Sequence, residues 1–131
     1  MTIIKNIIEE LIRLVKNNNI KFSFNTFEDL CTITFGRKYI TISNFYNTEQ
    51  KYFYYQVDIS DKDNQENKYN IIIQSGDKEL FNKTKYLYEL AKMKSFESDP
   101  YLQSILSELK SGTFETEDNP KISNDNDDLP Y

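Results

Sequence analysis

The sequence predicts an α+β domain, on three observations: an amphipathic helical repeat at the start, short alternating segments through the middle, and a return to helical spacing after residue 77. Over residues 3–16 the apolar side chains Ile3, Ile4, Ile7, Ile8, Leu11, Leu14 and Val15 recur at i, i+3, i+4 and i+7. That spacing lines one helical face, with Thr2 as N-cap and Asn17-Asn18-Asn19 as the stop. Extended runs follow at 20–24, 31–35, 38–45, 52–59 and 69–74. Cys31, Ile33 and Phe35 alternate with Thr32 and Thr34, and Gly36-Arg37 stands where a two-residue hairpin turn is needed. These runs predict an antiparallel meander of four or five strands.

Ser75-Gly76-Asp77 then breaks the strand pattern and offers an N-cap, after which Leu80, Phe81, Thr84, Leu87, Tyr88 and Ala91 mark the buried stripe of a second helix. A shorter third helix takes Asp99 as N-cap, Pro100 at its first position, Leu102, Ile105, Leu106 and Leu109 as its apolar face and Gly112 as its end. No internal repeat is evident. The domain reading is a globular α+β body over 1–112 and an acidic tail over 113–131, which lacks the apolar residues to offset its ordering entropy and is expected to be disordered.

Composition narrows the chemistry. At 131 residues, with 38% hydrophobic and 15% aromatic residues, the chain suits one small domain with a single core. The lone Cys31 excludes an internal disulfide, and no apolar run approaches the length of a membrane span, so a soluble, cytoplasmic protein is expected. There is no histidine, which removes the commonest general base and metal ligand, and one cysteine cannot build a thiolate zinc site. Gly36, Gly76 and Gly112 are too far apart for a phosphate-cradling loop. The expectation is a protein that is not an enzyme and needs no cofactor or metal. Asp58, Asp61, Asp63 and Glu66 are oxygen donors close in sequence, but the calcium-loop glycine is missing and Lys62 and Lys68 intervene, so a solvated loop is the better account.

The net charge of -5 is unevenly spread. Residues 1–112 carry 15 Lys/Arg and 15 Asp/Glu, whereas 113–131 carry Glu115, Glu117, Asp118, Asp125, Asp127 and Asp128 against Lys121 alone. The whole excess belongs to the tail, and the neutral body lacks a strongly basic nucleic-acid footprint.

The tail ends Asp127-Asp128-Leu129-Pro130-Tyr131. From Lys121 onward it resembles the C-termini of bacterial single-stranded-DNA-binding proteins, which finish in an acidic run, Leu or Ile, Pro and a terminal Phe, here replaced by Tyr131. The resemblance implies a docking tip for host replication, recombination and repair enzymes, with the Tyr131 ring in an apolar socket and its carboxylate beside a basic residue. Physical chemistry fits that role: burying one ring contributes roughly 1.5 to 3 kcal/mol, Asp127 and Asp128 speed encounter with a basic pocket, and Pro130 lowers the ordering cost. The resemblance is confined to the tail. That family carries a helix within its barrel, whereas helical spacing here falls only before and after the strands, a pattern loosely like the small transcription-coactivator-type single-strand binders.

If the body binds DNA, its surface is sought on the run 52–59. Period two puts Phe53, Tyr55, Val57 and Ile59 on one face and Tyr52, Tyr54, Gln56 and Asp58 on the other. With the first face in the core, Tyr52 and Tyr54 share a surface with Tyr39 and Phe45, a platform on which bases stack, while Arg37, Lys38 and Lys51 near its ends meet phosphates. Plain packing competes with this reading, since aromatic residues favour strands anyway and helices on both sheet faces would bury the same rings. Two functions follow: a single-stranded-DNA-binding protein of phage or mobile-element replication and recombination whose tail recruits enzymes, or an adaptor or inhibitor that mimics the host tail and binds no DNA.

Overall fold

The computed structural model describes residues 2–64, 66 and 68–112. The expected disordered tail and its docking tip Asp127, Asp128, Leu129, Pro130 and Tyr131 lie outside them. The chain divides into two compact units, Met1–Phe96 and Glu97–Tyr131. The element order is α1 (Thr2–Lys16), β1 (Lys21–Asn25), β2 (Leu30–Phe35), β3 (Lys38–Asn47), β4 (Tyr52–Asp61), β5 (Lys68–Gln74), α2 (Lys78–Glu97) and α3 (Pro100–Ser111). This is the α+β class expected, with five strands.

Helix α1 ends for a local reason. Asn18 takes a left-handed φ of 58°, and the N–H groups of Asn18 and Asn19 donate back to the carbonyls of Val15 and Leu14 at 3.1 and 2.8 Å. That bond pair is a Schellman motif, and asparagine is among the few residues that enter the left-handed region at low cost.

The strands form one antiparallel meander in the order β1-β2-β3-β4-β5. At the β2–β3 turn the positive φ falls on Gly36 alone, at 57°, as a two-residue II′ hairpin requires. One face of the sheet carries Phe22 and Phe24, Cys31 and Ile33, Ile40 and Ile42, Tyr55 and Val57, and Ile71 and Ile73, all in or against a single core cluster. Ile8, Leu11 and Val15 of α1 and Leu80, Leu87, Tyr88 and Ala91 of α2 complete that cluster, so both helices cover the same face.

The odd strand number sets the helix directions. Chain leaving β5 emerges at the sheet end opposite the start of β1, so α1, running toward β1, and α2, running away from β5, point the same way. Lys5 pairs with Glu79 at 3.3 Å, Lys83 with Glu9 at 3.0 Å, and the Lys94 ammonium donates to the Lys16 carbonyl and Asn18 Oδ1 at 3.0 Å each. The last contact places a cation at the carbonyl end of α1, where the helix dipole favours it. Asp77 caps α2, its Oδ1 accepting from the Leu80 N–H at 3.3 Å. Thr84, fully buried in α2, is satisfied by donating to the Leu80 carbonyl at 2.8 Å.

In the second unit α3 is capped at both ends. Asp99 accepts from the N–H groups of Tyr101 and Leu102 at 2.9 and 3.1 Å, and Gly112, at φ 70°, donates to the Glu108 carbonyl at 3.2 Å. The sequence placed both caps. None of its residues is buried, and Leu102, Ile105, Leu106 and Leu109 form an exposed apolar stripe.

Candidate nucleic-acid interface on the open sheet face

Within the Met1–Phe96 unit the second sheet face carries no helix. Helices α1 and α2 both lie against the other face, so neither of them packs on the side chains here. Reading the register across β1 to β5, this face presents Lys21, Thr34, Tyr39, Ser60 and Lys68 in one row and Ser23, Thr32, Thr41, Asp58 and Asn70 in the next. Hydroxyls and amides dominate. Asp58 is its sole carboxylate among these strands, and it accepts from Gln56 Nε2 at 3.3 Å and Asn70 Nδ2 at 2.6 Å.

Strands β3 and β4 outrun their neighbours. β2 pairs with β3 only as far as Ser43, and β5 with β4 only as far as Tyr54, so residues 46–53 extend as a two-stranded arm with Phe45 and Tyr54 at its base. Cross-strand aromatic pairs hold it together on both sides. On the open face Phe45 stacks on Tyr54, centroids 5.5 Å apart and planes 25° from parallel, and Tyr52 lies 6.0 Å from Tyr54. The Tyr52 hydroxyl accepts from Gln74 Nε2 at 3.3 Å. On the reverse side Tyr46 and Phe53 meet at 4.8 Å, and both are about half exposed. The expected end of β3 at 45 falls two residues short because the Tyr46–Phe53 pair continues the ladder, and that of β4 at 59 because Ser60 and Asp61 pair with Tyr39 and Lys38 at the opposite end.

The arm's loop is built locally. Asn47 Oδ1 accepts from the N–H groups of Glu49 and Gln50 at 3.0 and 2.9 Å, and Lys51, at φ 57°, donates its N–H to the Asn47 carbonyl at 2.7 Å. Asn25 repeats the device at the β1–β2 loop, accepting from Phe27 and Glu28 at 2.9 and 3.1 Å with Asp29 at φ 51°. Phe27, at that second tip, is 98% exposed.

The structure brings together only part of the expected site. Tyr52 and Lys51 share the arm, and Phe45 and Tyr54 stand at its base. Tyr39 is on the same face but opposite Ser60, with Thr41 and Ser43 between it and Phe45, so it stands roughly 20 Å away along the strand at about 3.3 Å per residue. Arg37 and Lys38 are at Tyr39's end. The Arg37 Nε donates to Asp63 Oδ1 at 2.5 Å, and Lys38, opposite Asp61, has the strand parity of Ile40 and so belongs to the helix-covered side. Lys21, Lys62 and Lys68, none of them expected at the site from sequence, supply positive charge at this end: Lys21 and Lys62 line a recess of about 410 Å³ with Thr32 and Thr34, and Lys68 lines another of about 380 Å³ with Tyr39. The alternation of Lys21, Ser23 and Asn25 with Phe22 and Phe24 was the available signal for Lys21.

The remaining candidates are accounted for by their partners. Asp61 Oδ1 accepts from the Asp63 N–H at 2.9 Å and Asp63 is paired with Arg37; among the described residues no group of acidic, cysteine or histidine side chains is placed to hold a metal ion. Burial pushes the Cys31 thiol up to about 12. Burial, aided by the Glu89 charge, raises the Tyr55 phenol to about 12, and burial raises Tyr88, whose hydroxyl donates to the Asp29 carbonyl at 2.9 Å. None of these groups is primed as a nucleophile. No described helix is long and apolar enough to cross a membrane.

No family model, curated protein or solved structure matches the chain.

Proposed function

We propose that the body binds single-stranded DNA across the open sheet face and that the acidic tail docks host replication and recombination enzymes. The observation that carries the reading is the group Phe45, Tyr54 and Tyr52 on a face that α1 and α2 leave uncovered. Rings in that position offer bases a stacking surface without sequence preference, and the hydroxyl and amide rows beside them offer donors and acceptors to a sugar-phosphate chain. Lys51 at one end and Lys21, Lys62 and Lys68 at the other supply the few phosphate contacts of a weakly electrostatic binder. The docking role for Asp127, Asp128, Leu129, Pro130 and Tyr131 rests on the tail's similarity to single-stranded-DNA-binding proteins.

One observation favours the second reading, an adaptor or inhibitor that carries the tail mimic and binds no DNA. The body's 15 basic and 15 acidic residues cancel, and Arg37 is already paired with Asp63. Fluorescence-anisotropy titration of the full chain against oligo-dT at low and moderate salt separates the two. Saturable binding that weakens modestly with salt supports the platform; absence of binding at low salt rejects it and leaves the adaptor.

A further inference from the structure

The sheet is open, so among the described residues β1 and β5 each have no strand on one side of their backbone. An unpaired edge is a template for another extended strand, and natural edges are usually blunted by proline, a bulge, or a charge in mid-strand. β5 has none of these. It reads Lys68-Tyr69-Asn70-Ile71-Ile72-Ile73-Gln74, its register against β4 runs unbroken from Gln74 opposite Tyr54 to Lys68 opposite Ser60, and its one charge stands at its first residue. Two of its apolar side chains are left in solvent, Tyr69 at 67% exposure and Ile72 at 45%. β1 is the contrast: it is shorter, its Phe22 and Phe24 are packed against the core, and its outward side chains Lys21, Ser23 and Asn25 are polar.

We propose that β5 is a self-association edge, at which two copies of this chain pair their β5 strands antiparallel about a two-fold axis and join their sheets into one. The unpaired N–H and C=O groups require an extended strand as occupant, and the side chains select this same strand. With the axis through Ile71, Tyr69 stands beside the partner's Ile73 and Ile71 beside the partner's Ile71, an apolar ladder on the helix-covered side. On the open side Asn70 faces the partner's Ile72 and Lys68 faces the partner's Gln74. No like charges meet across the seam, and a two-fold pairing needs only one suitable patch. Tyr69 and Ile72 gain neighbours they lack in a single copy. A seam one strand wide is small beside the interfaces of permanent dimers, so a reversible association is expected. Such a dimer carries the open face across the axis without a break, but the pairing itself does not depend on what that face binds.

Sedimentation equilibrium of the full chain, without nucleic acid, tests it from low to high micromolar concentration. The expected result is a monomer–dimer equilibrium. The double variant Tyr69→Lys with Ile72→Lys, at two positions already in solvent, raises the dimer dissociation constant roughly tenfold or more, because lysine is the commonest edge-blocking residue. Ser23→Lys on the β1 edge leaves it unchanged. Amide hydrogen exchange on the unaltered chain gives the location: residues in Lys68–Gln74 slow with rising concentration and those in Lys21–Asn25 do not, a readout that stands even if the double variant unfolds. A chain that stays monomeric throughout, or a dimer whose β5 amides ignore concentration, overturns the proposal.

Discussion

Replacing Tyr54 with alanine removes the centre of the aromatic group, since Tyr54 touches Phe45 at 5.5 Å on one flank and Tyr52 at 6.0 Å on the other. A base stacked on such a ring is worth about 1 to 3 kcal/mol, so the dissociation constant for oligo-dT rises about 5-fold to 150-fold. The cost to the fold is smaller than that of a core deletion, because Tyr54, at the base of the arm, is not part of the core cluster and chiefly its ring contacts are lost, each worth about 0.5 to 1.5 kcal/mol. Its neighbour Tyr55 is the internal control: on the opposite face, 2% exposed and in ring contact with Phe81 and Tyr88, its truncation costs about 3 to 5 kcal/mol of stability. Anisotropy titrations and thermal melts of the two variants side by side read both effects. A Tyr54→Ala protein that melts as a folded chain and binds oligo-dT as tightly as the unaltered one refutes the platform.

Asp63→Asn frees the Arg37 guanidinium at the far end of the open face, so oligo-dT affinity at low salt increases and the slope of log affinity against log salt steepens by up to about one counterion. The Cys31 thiol rises from 9.0 and the Tyr55 phenol from 10.0, both to about 12, so the fold holds protons that the unfolded chain releases. Melting temperature therefore stays flat with respect to these groups below pH 9 and falls as pH climbs from 9 toward 12, and a flat profile through that window contradicts the burial account. Deleting Tyr131 from a peptide spanning Thr113 to Tyr131 removes the ring and shifts the carboxylate to Pro130, and should weaken competition for the docking pocket of a host single-strand-binding tail more than tenfold, about 1.4 kcal/mol; an unchanged peptide makes the tail a solubility device.

Local chemistry was legible in the sequence and long-range register was not. The stop of α1 at Asn17-Asn18-Asn19, the Gly36 turn, the Asp77 and Asp99 caps and the two faces of β4 each follow from residues within a few positions of one another, and each stands as read. The distance between Tyr39 and the arm depends on which residues of β3 and β4 oppose each other, which alternation alone does not specify. The Arg37–Asp63 pair joins residues 26 apart through that same register. Helix placement was hidden for a different reason: an amphipathic stripe says that a helix covers a sheet, but not which face, and only the shared core cluster and the ion pairs between α1 and α2 put both on one side. The length of the arm escaped because Tyr46 and Phe53 read as ordinary strand aromatics until their pairing beyond β2 and β5 is seen.

Amide chemical-shift mapping tests the central claim most directly. The isotope-labelled full chain is titrated with oligo-dT at low salt and every assigned amide is followed. The account predicts progressive shifts at Phe45, Tyr52 and Tyr54, extending along the open face toward Thr41 and Tyr39, with the helix-side residues Ile8, Leu11, Leu87 and Ala91 unmoved. A spectrum that stays unchanged through excess oligonucleotide, or shifts confined to α1 and α2, contradicts it.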